Sequence, residues 1–179
     1  EGLGYANRDS LKYREDYGLK DIPTIFRGTF RRPGFCRAWD VFVKLGATDD
    51  SYVIEDSENM TYRQFLNSFQ AYNPDDSVEL KLMHYLKIDH DSEVMHKLEW
   101  LDLFKEIKIG IPRATPAQVL QHILERKWTM KETDLDMIVM YHLFGYELDG
   151  EHHALESYMA IKGEDRVRTA MAKTVGLPV

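Results

Sequence analysis

The chain has a single cysteine, Cys36, so it forms no internal disulfide and must hold together by packing. A lone thiol suits a reducing compartment, and the cytoplasm is the expected location. No run approaches the ~20 apolar residues that a membrane-spanning helix needs, and the first residues do not read as a signal peptide. Basic runs are short and the net charge is −7, so the broad positive footprint that nucleic acid requires is missing. Gly2-Leu3-Gly4 lacks the third glycine and the βαβ setting of a dinucleotide fingerprint, and there is no Walker-type phosphate loop. His84, His90 and His96 recur at a spacing that does not put them on one helical face, and His152-His153 on a strand point to opposite sides. No metal site is expected. Internal repeats and low-complexity segments are also lacking.

What is present is enough apolar material for a real core, 44% hydrophobic with 12% aromatic residues over 179 positions. That length accommodates one domain or two small ones. A short helix is expected over residues 11–17 with Gly18 as its stop, then a strand over 22–30. Pro33 and Gly34 force a turn into a helix over 35–45, with Phe35, Trp39, Phe42 and Val43 on one face and Gly46 at the end. Thr61-Tyr62-Arg63-Gln64 and Thr115-Pro116-Ala117-Gln118 both have the form of a capping box. Asp75-Asp76-Ser77 and Asp91-Ser92 open two further helices between them, so residues 60–127 read as a compact four-helix insertion. The last third returns to strands. Residues 137–144 are almost continuously apolar, Asp149-Gly150 is a tight-turn dipeptide, and 152–161 makes the return strand. Asp165 is expected to cap a closing helix that Gly176 ends. The fold class expected is α+β: a mixed α/β domain built discontinuously from residues 1–59 and 128–179, its sheet flanked by helices, with the all-α subdomain 60–127 inserted.

Two stretches carry the chemistry. Arg27-Gly28-Thr29-Phe30-Arg31-Arg32-Pro33-Gly34-Phe35 sets three guanidinium groups, a hydroxyl and two glycines within nine residues. Arginine's planar fork donates two parallel hydrogen bonds to a carboxylate, although a basic turn of this kind is also a common solvated surface. The second stretch is Gly4-Tyr5-Ala6-Asn7-Arg8-Asp9-Ser10. Cys36 reads as packing, and His142, within the apolar strand, reads as a hairpin-face or core histidine before it reads as an acid or base.

Together these stretches resemble the saccharopine dehydrogenase family, most of all its NADP-dependent, glutamate-forming branch. The family pattern Gly-Tyr-Pro-Asn-Arg-Asp-Ser, then Arg-Gly-Thr-Leu-Arg-Tyr-x-Gly-Phe, is matched except for Ala6, Phe30 and Arg32 in place of Pro, Leu and Tyr. Asp136-Met137-Ile138-Val139-Met140 and Ala172-Lys173-Thr174-Val175-Gly176-Leu177-Pro178 extend the likeness over nearly the whole chain. The resemblance implies an oxidoreductase acting on the secondary-amine C–N bond of saccharopine in lysine metabolism. NADP (or NAD) would be held by a Rossmann domain outside this chain, before Glu1 and again after Val179. This chain would be the substrate-binding and dimerisation portion of a homodimer, inactive when isolated. By family position Arg8, Asn7, Thr29, Phe30 and Arg31 would bind the three carboxylates and the body of saccharopine, with Arg27 and Arg32 as further candidates. No catalytic acid or base is identified. Two other readings stay open: a non-catalytic dimerisation or ligand-binding module, and a family member acting on another amino-acid conjugate such as a carboxylated polyamine.

Overall fold

The computed structural model describes residues 3–7 and 9–176, and for Leu3 the backbone alone. The chain divides into two compact units, Glu1–Lys127 and Trp128–Val179.

The first unit opens with strand β1 (Leu3–Ala6), the short helix α1 (Tyr13–Asp16) and strand β2 (Gly28–Arg31). The long strand expected over 22–30 is confined to 28–31, preceded by an irregular approach. Pro23 has no N–H to give a ladder, and the N–H of Arg27 donates to Ser10 Oγ at 3.2 Å instead of to a strand. Helix α2 (Phe35–Leu45) forms as expected between Gly34 and Gly46, which adopt φ of 79° and 83°. These are left-handed conformations that glycine enters without a Cβ penalty. Its buried face is Val41, Phe42 and Leu45, while Val43 is 52% exposed. The apolar stripe is therefore rotated from the expected one.

Four helices follow in residues 60–127: α3 (Tyr62–Ser68), α4 (Val78–Leu86), α5 (Glu93–Trp100) and α6 (Pro116–Trp128). Each start has a local chemical cause. At α3 the Thr61 hydroxyl accepts from the Gln64 N–H while the Thr61 N–H donates to Gln64 Oε1. Thr115 and Gln118 repeat this reciprocal pair ahead of α6, and Ser77 and Ser92 accept from the Leu80 and Met95 amides. The core draws Phe65, Leu66, Leu82, Met95, Leu98, Val119 and Ile123 from these helices, and Val41, Phe42 and Leu45 from α2. Burying each such side chain contributes on the order of 1.5–3 kcal/mol. Helix α2 packs into the same core as these four helices.

The second unit is a hairpin and a helix. Strands β3 (Met137–Leu148) and β4 (Glu151–Lys162) pair antiparallel from Met137↔Lys162 to Leu148↔Glu151. The turn is the expected Asp149-Gly150, with φ of 53° and 79°. Helix α7 (Ala170–Gly176) starts later than expected and is not capped by Asp165. Asp136, just before β3, accepts from the Ala170 and Met171 amides at 2.7 and 2.9 Å, and Thr169 Oγ1 accepts from Ala172. Asp165 instead holds the turn before the helix, accepting from the Val167 and Arg168 amides. The described residues thus contain helices and two antiparallel two-stranded sheets, β1-β2 and β3-β4. No described helix is long and apolar enough to cross a membrane.

Candidate functional site

Strand pairing decides which of the candidate side chains can act together. β1 and β2 run antiparallel with Tyr5 opposite Thr29, Ala6 opposite Gly28 and Leu3 opposite Arg31. The ladder continues one step, the Asn7 N–H donating to the Arg27 carbonyl at 2.8 Å. Side chains alternate sides along a strand and directly paired residues share a side. One face therefore carries Tyr5, Asn7, Arg27, Thr29 and Arg31, and all but Tyr5 are half-buried. Phe30 is on the opposite face, 61% exposed, with its ring against Gly4. The expected set is thus divided: Asn7, Thr29 and Arg31 are brought together, and Phe30 is turned away. Arg8 lies outside the described residues.

The two guanidinium groups on this face are held in the same manner. The Arg27 guanidinium carbon lies over Tyr13, 4.1 Å from the ring centroid, and Tyr13 stacks in turn on Tyr17 at 5.7 Å. Arg31 lies 5.7 Å from the Tyr5 ring and 5.4 Å from the Phe35 ring, and its Nη1 donates to the Phe30 carbonyl at 3.2 Å. Such contacts are worth about 0.5–2 kcal/mol and restrict the swing of the fork without consuming its in-plane donors. Ser10 and Asp9 set the platform. Asp9 Oδ1 accepts from the Leu11 N–H at 2.9 Å, turning the chain into α1, and Ser10 Oγ fixes the Arg27 backbone. Close approach also matters at Gly28, where a Cβ would come within 2.9 Å of the Phe26 ring and 3.2 Å of the Tyr5 carbonyl.

Among the described residues neither Arg27 nor Arg31 meets a carboxylate. Three other guanidinium groups do meet one, Arg63 in Glu79, Arg113 in Glu55 and Arg168 in Asp165. Two half-buried forks thus share one strand face with no acid beside them among the described residues, an arrangement chemically able to receive a carboxylate. The sequence reading overlooked Tyr13 and Tyr5 as platforms, although Tyr5 shares the two-residue parity of Asn7 across from Thr29.

A hollow of about 500 Å³ occurs elsewhere, at the elbow between α3 and α4. Its polar side chains are mostly engaged with each other, Arg63 with Glu79, Lys81 with Asn67 and Asn73 with Asp76. The fork of Arg63 takes both Glu79 oxygens at 2.6 and 2.8 Å, which holds the Glu79 carboxyl below its usual range and raises Arg63. That pair is a clamp between helices.

His142 stacks on Phe144 on an exposed hairpin face and is paired across the strand with Ser157. Among the described residues no group of three or more His, Cys, Asp or Glu side chains is arranged to hold a metal ion. Nor do they offer a dinucleotide cradle, since both sheets are antiparallel pairs and lack a strand–glycine turn–helix crossover.

The known proteins most informative for this arrangement share its whole length. Rat alpha-aminoadipic semialdehyde synthase, mitochondrial by name, is 32% identical over 180 residues, 98% of this chain and 19% of that protein. The saccharopine dehydrogenase [NADP(+), L-glutamate-forming] of Saccharomyces cerevisiae is 30% identical over 181 residues, 98% of this chain and 40% of that protein. The solved apo structure of histidine-tagged yeast saccharopine dehydrogenase (L-Glu forming) matches with a TM-score of 0.82 at 25% identity, covering 99% of this chain and 41% of the other. The chain therefore spans well under half the length of these relatives. The family profile of the saccharopine dehydrogenase C-terminal domain matches residues 2–179, and the chain belongs to that family.

Proposed function

We propose that this chain is the substrate-binding portion of an NAD(P)-dependent saccharopine dehydrogenase, an oxidoreductase of lysine metabolism. The observation that carries the reading is the strand face shared by Arg31, Thr29 and Asn7, where among the described residues no acid pairs with the guanidinium. Saccharopine has three carboxylates, and a buried carboxylate needs a fixed cation or several donors. The names of the yeast relatives support the substrate and the NADP preference. Bound outside this chain in the full-length protein, a nicotinamide would supply the hydride acceptor for oxidation of the C–N bond. The role of this chain is to grip and orient. Arg31 holds one carboxylate through its fork, with Thr29 donating from its hydroxyl and Asn7 from its amide. Arg8 takes another carboxylate by family position. Phe30 contributes through its carbonyl, which accepts from Arg31 and aims it.

Arg31→Ala in the full-length enzyme is expected to raise KM for saccharopine tenfold or more, the value of a charged hydrogen bond of about 1.5–3 kcal/mol. Unchanged KM would remove Arg31 from the site. The same face suits other amino-acid conjugates with several carboxylates, including a carboxylated polyamine, and a substrate panel on the full-length enzyme distinguishes them. Isolated residues 1–179 are proposed to be inactive, and turnover by that fragment with NADP and saccharopine would refute this.

We further propose a cytoplasmic homodimer in which residues 1–59 and 128–179 build one discontinuous domain around the helices of 60–127. Two-stranded ribbons are marginal alone, so β1-β2 and β3-β4 both need cover.

A further inference from the structure

We propose that Arg27 is a second carboxylate anchor, and that β2 thereby measures the separation of two carboxylates in its ligand. The proposal rests on the reading of this strand face as the saccharopine site, and adds to it a residue and a length requirement. Arg27 and Arg31 lie on the same face, with Thr29 between them. Both are half-buried, both lie against aromatic rings, and neither meets a carboxylate among the described residues. Their backbones are four residues apart on an extended chain, about 13 Å at ~3.3 Å per residue.

Arg27 is the more firmly seated of the two. Its N–H donates to Ser10 Oγ, its carbonyl accepts from the Asn7 N–H, and its guanidinium is 4.1 Å above Tyr13. The two hydrogen bonds fix the backbone at Arg27, and the ring seats a guanidinium whose long side chain otherwise keeps its rotamer freedom. A stacked guanidinium directs its N–H edges sideways, in the plane where a carboxylate pairs with two of them.

The ligand class that follows is an extended amino-acid conjugate with a carboxylate on each side of a bridging nitrogen. A short diacid such as glutarate reaches one fork at a time. A conjugate with one end decarboxylated loses one anchor and leaves the other intact.

The test uses the full-length protein and three ligands: saccharopine, N-(5-aminopentyl)glutamate, which lacks the lysine-end carboxylate, and N6-propyl-lysine, which lacks the glutarate end. Calorimetry gives Kd for the wild type, Arg27→Ala, Arg27→Lys and Arg31→Ala, and steady-state kinetics separates KM from kcat for saccharopine. Arg27→Ala should weaken saccharopine at least tenfold through KM with kcat largely kept. It should leave one of the two truncated conjugates bound as tightly as by the wild type. Arg27→Lys keeps a cation on Tyr13 and loses the fork, so an intermediate loss is expected with an unchanged melting temperature. Equal weakening of all three ligands by Arg27→Ala would mean a damaged hairpin and overturn the proposal. If Arg31→Ala weakens binding and Arg27→Ala does not, the site stands and the second anchor is overturned. If neither substitution moves Kd, the site and the anchor fall together.

Discussion

Ser57 illustrates how much a single buried hydroxyl can carry. It is fully buried, its Oγ donates to the Ile111 carbonyl at 2.6 Å, and the same oxygen accepts from the Ala114 N–H at 2.9 Å. One atom thereby ties the loop after α2 to the strand-like approach of α6. Ser57→Ala removes both bonds and leaves a buried N–H and C=O without that partner. A loss of about 1–3 kcal/mol is expected, read as a lower urea midpoint at unchanged slope. Gly163 is under a different constraint. A Cβ there would come within 2.2 Å of Asp136 Oδ1 and 3.1 Å of the Ala170 nitrogen. Gly163→Ala must therefore push the capping carboxylate off α7, and a lower melting temperature for the second unit is the expected result. A Gly145→Ala control, where nothing lies within 4 Å, should have little effect by comparison. The candidate site belongs to the same scale. The motif named Asn7, Thr29, Phe30 and Arg31 together by family position, and only the strand pairing puts Phe30 on the other face from the rest. The aromatic seats of the two arginines were not legible in the sequence, because which ring lies beneath a guanidinium is decided by the path of residues 9–27.

At the level of elements, caps are what made the helices readable. Thr61/Gln64 and Thr115/Gln118 act within four residues, so the sequence contains both partners of each box. The closing helix was misjudged for the opposite reason. Its cap, Asp136, is 34 residues before Ala170 in the chain, and a local reading chose the nearer Asp165. β2 was drawn too long because the β-branched and aromatic residues of 22–30 outweighed Pro23. The two aspartates have a consequence for acid stability. The Ala170 and Met171 amides hold Asp136 below its usual range, and the Arg168 amide, then its guanidinium, holds Asp165 at about 2. A carboxyl depressed in the folded state stabilises fully above its unfolded value of ~3.9. That stabilisation disappears as pH falls through the folded value, about 2 for Asp165. The second unit should lose melting temperature between roughly pH 4 and 2. In Asp165→Asn that pH dependence should be shallower, as followed by circular dichroism.

For the whole molecule, the outstanding physical problem is the β3-β4 ribbon. Its strands have 12 residues each, about 40 Å at ~3.3 Å per residue. Cross-strand pairing assigns Met140, Phe144, Tyr146, Met159 and Leu155 to one face, and Val139, Tyr141, Leu143 and Tyr158 to the other. All but Met159 in these two sets are exposed, so neither face is covered as a core strand would be. A hydrophobic surface on both sides of a two-stranded sheet favours association with a further layer or strand. The homodimer proposed above supplies one, and it can be separated from simple stickiness. Phe144→Glu with Leu155→Glu puts two charges on a single face at directly opposed positions. If that face is the subunit contact, light scattering on the full-length protein should give the monomer mass for the variant and the dimer mass for the wild type. The helical unit, with its own core from Val41 to Leu124, should melt at an unchanged temperature. A dimer that survives the double substitution would mean that the ribbon is covered in some other way.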